Sequence, residues 1–146
     1  MITLIEREFT VNVGLEQAWD HLARIEQWPS WAPHIKRIEL EPSGKLKPRS
    51  QGVIHLTNGM KPVFRVTAFH RPQSWKWVGG FLWVRVHYDH QFEALNGAHT
   101  KLVWMIEAEG FGATILGRPF ALKYRRHLER AIPRLIREMN ARTTSD

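Results

Sequence analysis

Between residues 36 and 110 the chain divides into short runs of alternating apolar and polar residues, each closed by a turn signal. The runs are "IKRIELEP", "QGVIHLT", "VFRVTAFH", "SWKWVGG", the long "LWVRVHYDHQFEAL" and "KLVWMIEAEG". Between them lie "PSGKLKPRS", "NGMKP", "RPQ" and "NGAHT". Tight turns between alternating runs predict an antiparallel sheet. Such a sheet needs an apolar partner on one face, and the last stretch, "FGATILGRPFALKYRRHLERAIPRLIREMNAR", supplies it. Phe120, Tyr124, Leu128, Ala131, Leu135 and Met139 recur at helical spacing, with His127 and Ile132 beside them. Arg125, Arg126, Arg130, Arg134 and Arg137 fall on the other side. The spacing predicts one long amphipathic helix, apolar inward and arginine-rich outward. Pro119 sits near its start, where a missing N–H costs little, and Pro133 inside it predicts a kink.

Ahead of the sheet, "TLIEREFTVNV" alternates as a strand with an imperfect apolar face. "GLEQAWDHLARI" places Leu15, Ala18, Trp19, Leu22 and Ile25 at helical spacing, with Gly14 as N-cap. Pro29 ends that run, and a short second helix or turn is expected over 27–31. No repeat, low-complexity tract or linker interrupts the 146 residues, so one domain, 1–146, is expected. The class is α+β: strand, helical pair, antiparallel sheet, long helix. A sheet curving around one long helix cannot pack tightly along its whole length, so the layout predicts a cavity between them.

Strand parity assigns faces. Val84, Val86, Tyr88, His90 and Phe92 point inward, and so do Leu102, Trp104, Ile106 and Ala108. Tyr88 and His90 then carry polar tips into the interior and need partners there. Trp75 and Trp77 share an inward face. Phe64, Phe81 and Trp83 complete the aromatic supply of the central strands. Gly79 and Gly80 read as a flexible rim loop over the cavity mouth.

The chain has no cysteine, which removes disulfides, thiol nucleophiles and thiolate metal sites. Its N-terminus carries Glu6, Arg7 and Glu8 instead of a signal peptide's apolar core, and no run reaches membrane-spanning length. The expectation is a soluble cytoplasmic protein. The net charge of +7 is explained first by the solvated helix face, second by weak contact with an anionic membrane, and last by nucleic acid, for which stacking aromatics are not on the surface.

Three segments carry a family resemblance: "FTVNVGLEQAWDHLARIEQWPSWAPHI", "FRVTAFHRPQSWKWVGG" and "GAHTKLVWMIEAEGFG". Together they resemble the START/SRPBCC superfamily, the helix-grip fold, in its polyketide cyclase/dehydrase-like branch, over essentially the whole chain. The resemblance implies a curved sheet gripping the C-terminal helix around an apolar pocket. It places the Trp-Pro segment at the end of that cavity, Trp31 as core first and Trp28 evenly between core and pocket wall. Since one fold hosts carriers and enzymes, it names no ligand.

Within that frame the expected ligand-binding residues are Trp28, Trp31, His55, Phe64, Trp75, Trp77, Tyr88, His90, Trp104, Phe120, Tyr124 and His127. His90, Tyr88 and His127 are the acid/base candidates, because histidine titrates near working pH. A satisfied interior histidine is the plainer reading of His90. His87 and His90 point to opposite faces of one strand, so no metal site is expected, and no cofactor is called for. Three functions stay open: a binder of a hydrophobic or aromatic small molecule, an aromatase/cyclase-type enzyme, and a membrane-docking lipid or quinone carrier. Monomer and homodimer are both open.

Overall fold

In a computed structural model, residues 2–81, 84–110 and 112–144 are described. The chain begins with β1 (Ile2–Val11), followed by α1 (Leu15–Ala23) and a 3₁₀ turn (Ile25–Ser30). Six further strands follow: β2 (Ile35–Glu41), β3 (Gln51–Leu56), β4 (Val63–His70), β5 (Ser74–Phe81), β6 (Val84–Asn96) and β7 (His99–Glu109). The helix α2 (Ala113–Thr144) closes the described chain. The strands form one seven-stranded sheet, ordered β1-β7-β6-β5-β4-β3-β2 and antiparallel at every pairing. The expected α+β helix-grip architecture is therefore the one found.

The inward parity of β6 and β7 holds. Val84, Val86, His90 and Phe92 are buried on one strand, and Leu102, Trp104, Ile106 and Ala108 on its neighbour. Register shifts fall between Thr3 and Ile5, Ile35 and Arg37, Val66 and Ala68, and Ala94 and Asn96. Each bends a strand and flips its parity. That is why β1 alternates imperfectly, and why Phe69 joins Phe64 and Val66 on the inner face although its parity differs.

The inner face is covered in two parts. Trp19 of α1 packs against Phe69, Trp75 and Phe92 at centroid distances of 5.4, 5.1 and 5.1 Å. Trp28 of the 3₁₀ turn donates its indole N–H to the Leu22 carbonyl at 2.9 Å, which fixes its ring under the sheet. Pro29 lies inside that turn and tightens it, as expected for the segment over 27–31. The second cover is α2, which buries Ala121, Leu128, Ala131, Leu135 and Met139 and leaves Arg125, Arg126, Arg130, Arg134 and Arg137 exposed. It runs unbroken through Pro133, and Pro119 lies within the helix beyond its first turn. Glu138 of α2 joins the two covers. It pairs with His21 at 2.9 Å and accepts from the Ser30 hydroxyl at 2.8 Å.

Gly79 and Gly80 are not a rim loop. They sit in β5, paired with Val86 and Arg85, so sheet hydrogen bonding fixes them despite their poor strand propensity. Trp83 and the side chain of Phe81 lie outside the described residues.

Candidate functional site

A cavity of about 300 Å³ opens between the sheet and the amino-terminal half of α2. Its sheet wall is Ile54 and Leu56 of β3, Phe64 of β4, Trp77 and Gly79 of β5 and Tyr88 of β6. Its helix wall is Pro119, Phe120, Lys123, Tyr124 and His127. Trp28, His34, Asn58 and Met60 also line it. Two glycines shape the wall. A Cβ at Gly52 would collide with the Glu39 carbonyl and lie 2.8 Å from the Phe64 ring, so only glycine lets that ring lie across β3. A Cβ at Gly79 would reach 3.1 Å from the Val63 carbonyl and 3.6 Å from the Tyr88 ring, so a side chain there would intrude.

Polar-tipped rings from both walls meet at the hollow. His34 and His127 stack with centroids 4.3 Å apart and planes 7° apart. Tyr124 stands edge-on to both, at 6.4 and 6.5 Å, and stacks on Phe120 at 5.6 Å. Tyr88 lies 5.9 Å from Tyr124. Burial, and then the neighbouring His127, hold His34 down to about 4. Burial, Lys123 and Arg130 lower His127. Burial pushes Tyr124 up to about 12, and burial together with Tyr124 raises Tyr88 well above the usual phenol range. At neutral pH these groups are uncharged and can donate or accept hydrogen bonds without a standing charge.

Seven expected ligand contacts therefore line the cavity: Trp28, Phe64, Trp77, Tyr88, Phe120, Tyr124 and His127. The remaining five lie elsewhere. His55 alternates with Ile54 and Leu56, points to the outer face and meets Glu39 at 3.1 Å. Trp31, Trp75 and Trp104 are core, at 3%, 0% and 6% exposure. His90 shares its face with Tyr88, but two residues along β6 it sits under the tryptophans. Its ring stacks on Trp75 at 4.6 Å and lies 4.9 Å from Trp77, 6.0 Å from Trp104 and 6.1 Å from Trp28. Its Nδ1 has no hydrogen-bond partner, and burial, opposed by the Trp75 carbonyl, holds it down to about 3. So enclosed, His90 does not line this cavity. His34 was missed. It directly follows the Trp-Pro segment, in an irregular stretch with no periodicity to assign its direction.

Residues 3–143 match a family described as polyketide cyclase / dehydrase and lipid transport. Among solved structures, XoxI from Bacillus cereus superposes with a TM-score of 0.74 at 12% identity, covering 95% of this chain and 96% of that one. The Zhui aromatase/cyclase from Streptomyces sp. R1128 gives 0.69 at 14% identity, over 95% and 94%. A START superfamily protein from Mycobacterium smegmatis gives 0.64 at 13% identity, over 92% and 97%. At such identities these structures share the fold alone. No curated protein matches the sequence.

Proposed function

Because this chain belongs to the polyketide cyclase / dehydrase and lipid transport family, we propose that it encloses a hydrophobic or aromatic small molecule, of lipid, polyketide-like or isoprenoid class, between the sheet and α2. The hollow of about 300 Å³ with largely apolar walls is the observation that carries this reading. A ligand losing about 200 Å² of apolar surface there gains roughly 5 kcal/mol at ~25 cal/mol per Å², before the cost of association. Tyr88, Tyr124, His34 and His127 fix its orientation. The test uses the fluorescence of N-phenyl-1-naphthylamine with the wild type and with Leu56→Trp, whose indole fills the space. Wild-type binding weakened about tenfold or more in the variant supports the reading. Equal binding by both puts the probe elsewhere and removes it. Native mass spectrometry of the freshly extracted protein then reads the mass of any retained guest.

A second reading is an aromatase/cyclase-type enzyme, favoured by the convergence of His34, Tyr124 and His127 on one wall. In that case proton transfer falls to these groups and not to His90. Turnover of a short poly-β-ketone lost in His127→Gln and kept in His90→Phe is the expected pattern; the reverse assigns the chemistry back to His90.

The site of action we propose is the cytoplasm, and no described helix is long and apolar enough to cross a membrane. Exposed Ile115 and Leu122 beside Lys123 and Arg118 favour weak contact with an anionic membrane. Co-sedimentation with phosphatidylserine vesicles that does not fall with added salt speaks against that contact.

A further inference from the structure

The cavity lining is one-sided in charge. Its titratable side chains are His34, Tyr88, Lys123, Tyr124 and His127, and among the described residues no carboxylate lines it. His34 and His127 both line the cavity and stack face to face, with centroids 4.3 Å apart and planes 7° apart. Two imidazoles, two phenols and an ammonium therefore border the hollow with no opposite charge among them. An anionic group would accept from the imidazole and phenol donors and offset the ammonium of Lys123.

We propose that the cavity selects guests with an anionic end, a carboxylate on an otherwise apolar ring system, held by the His34–His127 pair and Lys123. The proposal rests on the ligand-binding reading above and names the class of ligand. The apolar body lies along Trp28, Phe64, Trp77 and Phe120, and the anion lies toward the imidazoles.

The arrangement carries a proton signature. Without a guest both imidazoles are neutral at pH 7: His34 is held at about 4 by burial and by His127, and His127 is lowered by burial, Lys123 and Arg130. The groups facing the pair are Lys123, Tyr124 and Arg130 of α2 and, through Tyr124, Tyr88 of β6. None is negative at neutral pH. A bound carboxylate is the missing opposite charge and raises both imidazoles. Repulsion across the stack permits one added proton and opposes a second. Binding of an anion therefore draws up to one proton from solution.

Isothermal titration with 2-naphthoate and 2-naphthamide, alike in shape and different in charge, tests this at pH 7 and low salt. Naphthoate is expected to bind about tenfold more tightly, the scale of one charge-assisted contact. Its heat is expected to change between phosphate and Tris buffers by an amount that reports proton uptake. In Lys123→Met and in His127→Gln the advantage of naphthoate over naphthamide should shrink to within about threefold. Lys123 is exposed, so its variant keeps the test independent of folding. Equal affinities for the two probes, or a naphthoate advantage intact in both variants, overturns the anion preference while leaving the cavity reading in place. Binding of neither probe, together with no binding of N-phenyl-1-naphthylamine, overturns both.

Discussion

At the α1 end of the interior, His90 is walled in by Trp28, Trp75, Trp77 and Trp104. At the amino-terminal end of α2, His34 and His127 stack beside a hollow bounded by Trp77, Phe64, Tyr88 and Phe120. Both ends are built from indoles, phenyl rings and histidine on one continuous sheet. They differ in what comes down onto that sheet. At the first end α1, the 3₁₀ turn and the residue that follows it deliver Trp19, Trp28 and Trp31 onto the sheet, and large rings fill the space. At the second, one long helix covers the sheet, and a hollow lies between its Phe120, Tyr124 and His127 and the Ile54 and Leu56 of β3. An aromatic stripe is therefore core or cavity wall according to its cover, and its composition does not decide.

The largest expected contrast is in stability. Trp75 is fully buried, and Trp75→Ala should cost about 3–5 kcal/mol in urea denaturation, the usual range for removing a core indole. Phe120→Ala, at the half-buried cavity wall, should cost about 1 kcal/mol or less and instead weaken N-phenyl-1-naphthylamine binding. Comparable losses in the two variants would mean that the second end is packed as tightly as the first.

Acid should find the same division. His90 is held at about 3 in the fold and returns to about 6.5 when unfolded. The unfolded chain thus takes up a proton below about 6.5 that the native chain refuses. Stability is complete above that pH and falls as pH drops toward about 3. Between pH 6.5 and 4 the loss from this one group is about 3 kcal/mol, at roughly 1.4 kcal/mol per pH unit. Denaturation curves of His90→Phe across that range should be flatter by about this amount. His34, held at about 4, works in the same direction at the other end. A saturating anion should weaken its share and leave that of His90 untouched.

A smaller effect probes how the filled end is fastened. Glu138 binds both His21 and Ser30, tying α2 to the helical pair. Glu138→Gln should cost about 1–2 kcal/mol, the scale of charged hydrogen bonds in a partly buried place. Probe affinity at the cavity should change less than about twofold, because the tie lies beyond the hollow.

The division itself was only partly legible in the sequence. Period-two alternation placed β6 and β7 correctly, since their inward residues are apolar or aromatic-like apart from Thr100, whose hydroxyl donates to the Val13 carbonyl. Parity tells a face, however, and not a position along the strand. Tyr88 and His90 share a face, yet one lines the hollow and the other is sealed away. His55 was beyond reach for a related reason: β3 alternates among residues of similar character, so nothing marked Ile54 and Leu56 as the inward pair. The shift between Val66 and Ala68 turns Phe69 inward against simple counting. Gly79 and Gly80 looked like a loop because glycine lacks strand propensity, while the pairing that holds them is supplied by β6.

The finest contrast concerns water. The chain has two tyrosines, Tyr88 and Tyr124, and both line the cavity. Burial pushes Tyr124 up to about 12, and burial together with Tyr124 raises Tyr88 well above the usual range. A dry closed end predicts that no phenolate absorbance appears in the native protein at pH 10, and that both phenols ionise together when denaturant is added. Native ionisation near pH 10 would mean that solvent reaches the phenols freely, and a hollow so wetted has little apolar surface to offer a guest. Tyr124→Phe should then change stability by less than about 0.5 kcal/mol, because a hydroxyl already bathed in water loses little when removed. If the end is dry, the same variant should cost 2-naphthoate more than 2-naphthamide, since a charged carboxylate accepts more strongly than an amide carbonyl from a phenol that stays protonated.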